Sequence, residues 1–247
     1  MIFGVQQRRG FIVVTGEIGA GKTTLCRRFL QQLSPEIKTA VILNPKISST
    51  HLLSSVVRDF GIPDCGKTKR GIYEGLSQFL LDGIQHSQNA CLIVDEAQSL
   101  NLKVLEEIRL LSNLETSKQK LMQIILIGQP ELKEILMRGS LKQIRQRLGV
   151  HVHLNGLNLE ETVHYIQQRL NFAGGGHSRV SFNLDVVYAV HKMSQGIPRL
   201  INTICDRVLI AAYARQTHLI ALEVAQSAFE ELVFICGLDD TQTFKGS

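Results

Sequence analysis

The sequence predicts an α/β fold: a five-stranded parallel sheet flanked by helices, followed by a small all-helical domain. Three observations carry that expectation. Short β-branched apolar runs alternate with longer amphipathic stretches, the pattern of parallel strands joined by crossover helices. The first four strand candidates are continuously apolar, as strands covered on both faces are. After Leu154 the strand signal stops and only helical periodicity remains.

Strands are expected at Phe11–Thr15, Ala40–Asn44, Cys91–Asp95, Ile124–Gly128 and Val150–Leu154. Between them, helices are expected at Lys22–Leu33, Thr50–Phe60, Gly71–His86, Leu102–Leu114 and Glu131–Met137. Apolar residues at 102, 105, 108, 111 and 114 describe one face of the fourth helix. From Asn158 onward the spacing predicts only helices, at Leu159–Phe172, Leu184–Gln195, Arg199–Gln216 and Leu222–Leu232. Asn158 with Glu161 three residues later reads as a capping box with Asn as the cap, and Gly174-Gly175-Gly176 breaks the chain after the first helix. The expected domains are an α/β domain at 1–156, a helical domain at 157–235 and a disordered polar tail at 236–247.

Composition narrows the class. Hydrophobic residues make up 44% and charged residues 20%, which excludes a disordered chain. No apolar run approaches the roughly 18–20 residues that cross a bilayer, and the N-terminus lacks the order of parts of a secretory signal. Cys26, Cys65, Cys91, Cys205 and Cys236 are scattered with no CxxC pair, and read as buried thiols of a reducing compartment, not as a disulfide framework or a zinc site. A cytoplasmic location follows. The net charge of +5 is uneven, because residues 1–70 hold eleven Lys/Arg against four acids. That skew suits either a polyanionic partner or ordinary solvated surface.

Gly16-Glu17-Ile18-Gly19-Ala20-Gly21-Lys22-Thr23-Thr24 matches the G-x-x-x-x-G-K-[ST] phosphate-binding loop, between an apolar strand and a helix as the chemistry requires. Glycines let successive backbone N–H groups face a phosphate, and the helix N-terminus adds partial positive charge there. Lys22 is expected on the β- and γ-phosphates and the Thr23 hydroxyl on Mg²⁺. Cys91-Leu92-Ile93-Val94-Asp95-Glu96 is an apolar strand ending in paired carboxylates. Asp95 is then expected as the Mg²⁺ partner at the C-terminal edge of the sheet, and Glu96 as the base that polarises the attacking water. Together they predict a site that binds a nucleoside triphosphate with Mg²⁺ and hydrolyses it; that the nucleotide is ATP is what the family resemblance below implies.

The phosphate loop, Asp95-Glu96 and a helical domain after the fifth strand together resemble the AAA+ ATPases. Asp95-Glu96-Ala97-Gln98, Gly128-Gln129-Pro130-Glu131-Leu132, Gln146-Arg147-Leu148 and Gly196-Ile197-Pro198-Arg199-Leu200-Ile201-Asn202 resemble the general secretion pathway protein A family, with its MSHA-pilus and exosortase-associated relatives. The resemblance runs from about Phe3 to about Glu231. It implies that Gln129 is the sensor-1 residue reading the γ-phosphate, the other reading being a turn residue before Pro130. It implies that Arg147 is an arginine finger reaching a neighbouring subunit, with Arg145 the second candidate and solvated helix charges the alternative. Arg199 matches sensor 2, against an arginine with no ligand in a helix's first turn. The resemblance also implies a homo-oligomeric motor or switch that assists assembly of a secretion or pilus-type envelope apparatus. It would act in the cytoplasm, recruited to the inner membrane by partners. A DNA-associated AAA+ regulator is the alternative. Family members usually carry a longer segment ahead of the phosphate-loop strand, so weaker adenine contacts are expected here. Secretion-type members also continue into a membrane span and a peptidoglycan-binding domain, before which this sequence stops.

Overall fold

A computed structural model of the chain describes residues 10–43, 46–63, 68–86, 88–116, 119–174, 176 and 179–236. Five strands form one sheet: β1 (Phe11–Gly16), β2 (Ile37–Ile42), β3 (Asn89–Val94), β4 (Met122–Gly128) and β5 (Leu148–Leu154). They are hydrogen-bonded in the order β2-β3-β4-β1-β5, and every pairing is parallel. The helices of this part are α1 (Lys22–Gln32), α2 (Ser49–Phe60), α3 (Lys69–Gln85), α4 (Leu102–Leu111), α5 (Glu131–Met137) and the short α6 (Lys142–Gln146). Asn44 of the expected second strand, Cys65, Lys67, Gly175, residues 1–9 and the tail beyond Cys236 lie outside the described residues.

Strand alternation sends side chains to opposite faces, so one sheet feeds two cores. Ile12, Val14, Cys91, Ile93, Ile125 and Ile127 pack with Cys26 and Phe29 of α1. Phe11, Val13, Leu92, Val94, Ile124 and Leu126 face the larger cluster with α2, α3 and α4. β1 and β4 are buried throughout and β3 after Asn89, because both faces of these central strands are covered, with Thr15 and Gln123 as buried polar residues among apolar ones. β2 departs from that expectation. It starts at Ile37, three residues before the apolar run, and is only half buried, with Lys38 exposed. It is an edge strand with β3 as its single neighbour, and an edge position tolerates and benefits from a charge.

Local chemistry sets the helix starts. Ser48 accepts from the His51 N–H at 3.2 Å, Thr68 from Gly71 at 3.2 Å and Asn101 from Val104 at 3.0 Å, each satisfying a donor that the first turn leaves without an intrahelical partner. α4 is shorter than its periodicity predicts. It stops at Leu111, where Ser112 and Asn113 turn the chain, so Leu114 lies beyond it. Its buried face runs through Val104, Leu105, Ile108 and Leu111, while Leu102 is 47% exposed. Glu107 is also buried on α4, held by Lys69 at 2.6 Å and Tyr73 at 2.9 Å from α3.

The chain divides into two compact units, one of Met1–Gly16 with Lys22–Leu154 and the other of Glu17–Gly21 with Asn155–Ser247. The second holds α7 (Leu159–Ala173), α8 (Leu184–Ser194), α9 (Pro198–Ala214) and α10 (Leu222–Cys236). To these the structure adds a two-residue parallel pair, β6 (Ser181–Phe182) with β7 (Leu219–Ile220), too short to leave a periodic signal. The capping box is present: Asn158 Oδ1 accepts from the Glu161 N–H, and Glu161 accepts from the Asn158 N–H, both at 2.8 Å. Val186, Val190, Val208, Ile220 and Phe229 are fully buried in this unit's core. Among the described residues no helix is long and apolar enough to cross a membrane.

Leu105→Ala is expected to destabilise the chain by about 2–5 kcal/mol, the range for an aliphatic core truncation. Leu102→Ala, one turn away on the exposed side, should stay within about 0.5 kcal/mol of the parent. Urea unfolding of both variants checks this, and equal losses would contradict the buried face described.

Candidate functional site

Because all five strands run the same way, the groups that follow β1, β3 and β4 emerge at one edge. These strands are neighbours, with Thr15 level with Gly128 and Val94 level with Leu126. Gly16 therefore ends β1, Asp95-Glu96 follows β3, and Gln129 follows β4, side by side at the C-terminal edge where open α/β sheets bind ligands. Thr15, just before the loop, is buried, and its hydroxyl joins His151 Nε2 at 3.0 Å and His153 Nδ1 at 2.9 Å on β5. One hydroxyl cannot donate to both, so at least one of the two ring nitrogens donates to it, the tautomers setting which. Desolvation, then Lys133 and His153, hold His151 below the ordinary histidine range.

At the start of α1, Lys22 is buried and its Nζ donates to the Gly16 carbonyl at 2.8 Å. The next residue, Thr23, donates its hydroxyl to Asp95 Oδ2 at 3.1 Å. Asp95 is 4% exposed, and its other oxygen accepts from the Glu96 N–H at 2.9 Å. Its own N–H donates to the Ile42 carbonyl of β2 at 2.9 Å, tying the ends of two strands together. The lysine ammonium and the first-turn N–H groups of α1 are donors that match phosphate oxygens. The Thr23 hydroxyl and Asp95 carboxylate, already in contact, are the hard oxygen set that suits Mg²⁺. The donor chemistry fits both groups.

Glu96 adopts a left-handed backbone, φ 54° and ψ 36°, a conformation that costs a non-glycine residue about 1–3 kcal/mol. It opens a single 3₁₀ turn, Ala97–Ser99. From that turn Gln98 reaches two partners. Its Nε2 donates to Glu96 Oε2 at 2.6 Å, and its Oε1 accepts the backbone N–H of Gln129 at 3.1 Å. Gly128 is what lets the amide in, since a Cβ there would stand 2.7 Å from Gln98 Oε1 and 3.0 Å from Leu132 Cδ2. In the sequence, Gln98 is only one letter of Asp95-Glu96-Ala97-Gln98. Its spacing from Glu96 was visible, but its contact with the β4 end depends on the sheet order.

Glu17–Gly21 of the loop group with the helical unit. The Ala20 N–H donates to Glu17 O at 3.1 Å, and the Arg199 N–H donates to Gly19 O at 3.3 Å. Gly19 has φ 86°, and a Cβ on it would stand 2.4 Å from that of Arg199, so glycine is required twice over. Arg199 is the second residue of α9, which starts at Pro198. The preceding turn is fixed by the Leu157 N–H donating to Gly196 O at 2.8 Å.

Arg147 is not brought to this edge. It precedes β5 and its carbonyl accepts from the Phe11 N–H at the start of β1, so it lies at the N-terminal edge of the sheet. Its Nη1 donates to Ser112 Oγ at 3.0 Å and to Asn113 Oδ1. Arg145 donates to the Met137 carbonyl at 3.0 Å. Cys26, Cys91 and Cys205 are buried free thiols.

The parallel sheet, the glycine loop running into α1 and the acidic end of β3 define the class. The chain belongs to the AAA domain family, whose model matches residues 5–136. It is similar to General secretion pathway protein A of Aeromonas hydrophila, 39% identical over 245 residues covering 98% of this chain and 44% of that protein. The chain thus spans under half the length of that relative. Two solved structures share the fold at low identity. The Aeropyrum pernix ORC2 protein superposes with a TM-score of 0.64 at 17% identity, over 93% of this chain and 64% of that one. The Thermotoga maritima RuvB Holliday junction branch migration motor gives 0.62 at 18%, over 97% and 70%. The molecule is an AAA-type P-loop protein related to a secretion-pathway component.

Burial, and next the Asp95 carboxylate, push the Cys26 thiol up to about 11. At pH 8 it is therefore almost wholly protonated, and thiolate forms only as pH approaches that value. Native-state alkylation read by peptide mass spectrometry should leave Cys26 unmodified at pH 8 and modify it in urea. Equal rates in the two conditions would contradict its placement.

Proposed function

We propose that the chain binds ATP with Mg²⁺ and hydrolyses it, working as an oligomeric switch or motor in assembly of a secretion or pilus-type envelope apparatus. The observation that carries the nucleotide reading is the 3.1 Å bond between Thr23 and Asp95. It sets the helix that follows the phosphate loop against the acidic end of β3 and brings together two oxygen groups of the hard kind that Mg²⁺ prefers. The family and the relative above support the reading, as does the ORC2 protein, solved as ADPNP–ADP complexes.

In this reading Lys22 exchanges its Gly16 carbonyl for the β- and γ-phosphate oxygens, and the first-turn N–H groups of α1 hold the same phosphates. Thr23 and Asp95 hold Mg²⁺, which when bound neutralises charge developing on the transferred phosphoryl group. Glu96 orients the attacking water and accepts its proton. Gln129 presents an amide beside the γ-phosphate, able to donate to it and accept from the water. Arg199, whose N–H meets the Gly19 carbonyl of the loop, takes the sensor-2 role that the family resemblance implies.

Arg147 serves a neighbouring copy. The seven residues of β5 separate it from the C-terminal edge of its own sheet, about 20 Å of strand, well beyond an arginine's reach. Release from Ser112 and Asn113 would free its guanidinium for a partner's γ-phosphate. The secretion link in this proposal comes from likeness to General secretion pathway protein A.

Lys22→Ala should abolish nucleotide binding, whereas Glu96→Gln should retain it and slow turnover by about 10²–10⁴-fold, the range for loss of a positioned base. Chelating Mg²⁺ should stop turnover in the parent. Phosphate release and nucleotide titration read both, and full turnover in Glu96→Gln would sink the assignment. Mixing Arg147→Ala chains with Lys22→Ala chains should restore part of the turnover that each lacks alone, because a finger is worth about 10³–10⁵ in rate. No recovery on mixing would argue against shared sites.

A further inference from the structure

We infer that Gln98 is a positioning residue that sets the Glu96 carboxylate for hydrolysis and ties it to the end of β4. The inference rests on the hydrolysis reading above and adds a residue to it. Glu96 follows β3 in a left-handed conformation, and its side chain has three rotatable bonds that a partner must fix. Gln98 is that partner. Its amide N–H₂ donates to Glu96 Oε2 at 2.6 Å, a charge-assisted bond that leaves Oε1 to face a water.

The other end of the same amide is fixed as well. Gln98 Oε1 accepts the Gln129 N–H at 3.1 Å, so the orientation that donates to Glu96 is the one that accepts from the main chain. Flipping the amide would set like groups against each other at both ends. The 3₁₀ turn fixes the backbone beneath it, through the Ser99 N–H on Glu96 O at 2.9 Å. At Gly128, the missing side chain leaves the room the amide occupies. The result is a carboxylate–amide–main-chain bridge from the base to the residue after β4. A shift of Gln129 on meeting the γ-phosphate would pass directly to Glu96, so base placement and phosphate sensing are one mechanical unit.

Two substitutions dissect the bridge in the full chain. Gln98→Glu keeps an oxygen for the Gln129 N–H but has no proton to give Glu96, and Gln98→Met keeps the length and neither bond. Both should lower kcat about tenfold or more, part of what a positioned base contributes, with nucleotide affinity within twofold of the parent. Gln98→Met added to Glu96→Gln should cause no further loss in single-turnover hydrolysis, because its effect passes through the glutamate. The inference is overturned if Gln98→Glu turns over within twofold of the parent. It is also overturned if nucleotide affinity falls as far as kcat, or if Gln98→Met slows the Glu96→Gln chain by the factor seen in the parent. Normal turnover in Glu96→Gln alone would instead remove the hydrolysis reading itself. An inactive Glu96→Gln with a fully active Gln98→Glu removes only the bridge.

Discussion

The sheet order is the constraint on which the site depends. β1 is hydrogen-bonded on both sides, to β4 and β5, with apolar side chains covered on both faces. A strand so placed has nowhere to move without exposing backbone groups that water would have to satisfy. Its last residue, Gly16, is therefore held at a fixed height, level with the ends of β4 and β3. Parallel pairing makes that height common to every strand and separates it from the edge that carries Arg147.

On that edge the charged groups of the first unit are matched within the protein. Lys22 has the Gly16 carbonyl, Asp95 has the Thr23 hydroxyl and the Glu96 N–H, and Glu96 has the Gln98 amide. Burying such groups is tolerable only when they are hydrogen-bonded. The same bonds are weak enough to be exchanged for phosphate and cation contacts of similar geometry, which the carbonyl and hydroxyl partners of Lys22 and Asp95 permit. The Glu96–Gln98 pair differs, because its second anchor is the main chain of Gln129 and not a group in the first turn of α1.

Much of this was legible in the chain itself. The β-branched runs located all five strands to within a few residues, those of β1, β3 and β4 because burial on both faces favours apolar runs. The misjudged ends have physical causes. β2 extends back into polar sequence because an edge strand has only one neighbour, and α4 ends early because Ser112 and Asn113 turn the chain where periodicity alone would continue. The capping box at Asn158 was readable because both of its bonds are local. The β6–β7 pair was not, since two residues carry no period.

By itself, the sequence determined the phosphate loop, the Asp95-Glu96 pair, the parallel α/β class and the helical segments that follow. Each of these is encoded by residue types at short, fixed spacings. Only the tertiary structure decided which strand ends are neighbours. That set Thr23 on Asp95, Gln98 between Glu96 and the Gln129 backbone, and Arg147 on the opposite edge. Those contacts join residues 31 to 72 apart or rest on strand order, and no local spacing specifies the order in which parallel strands pair.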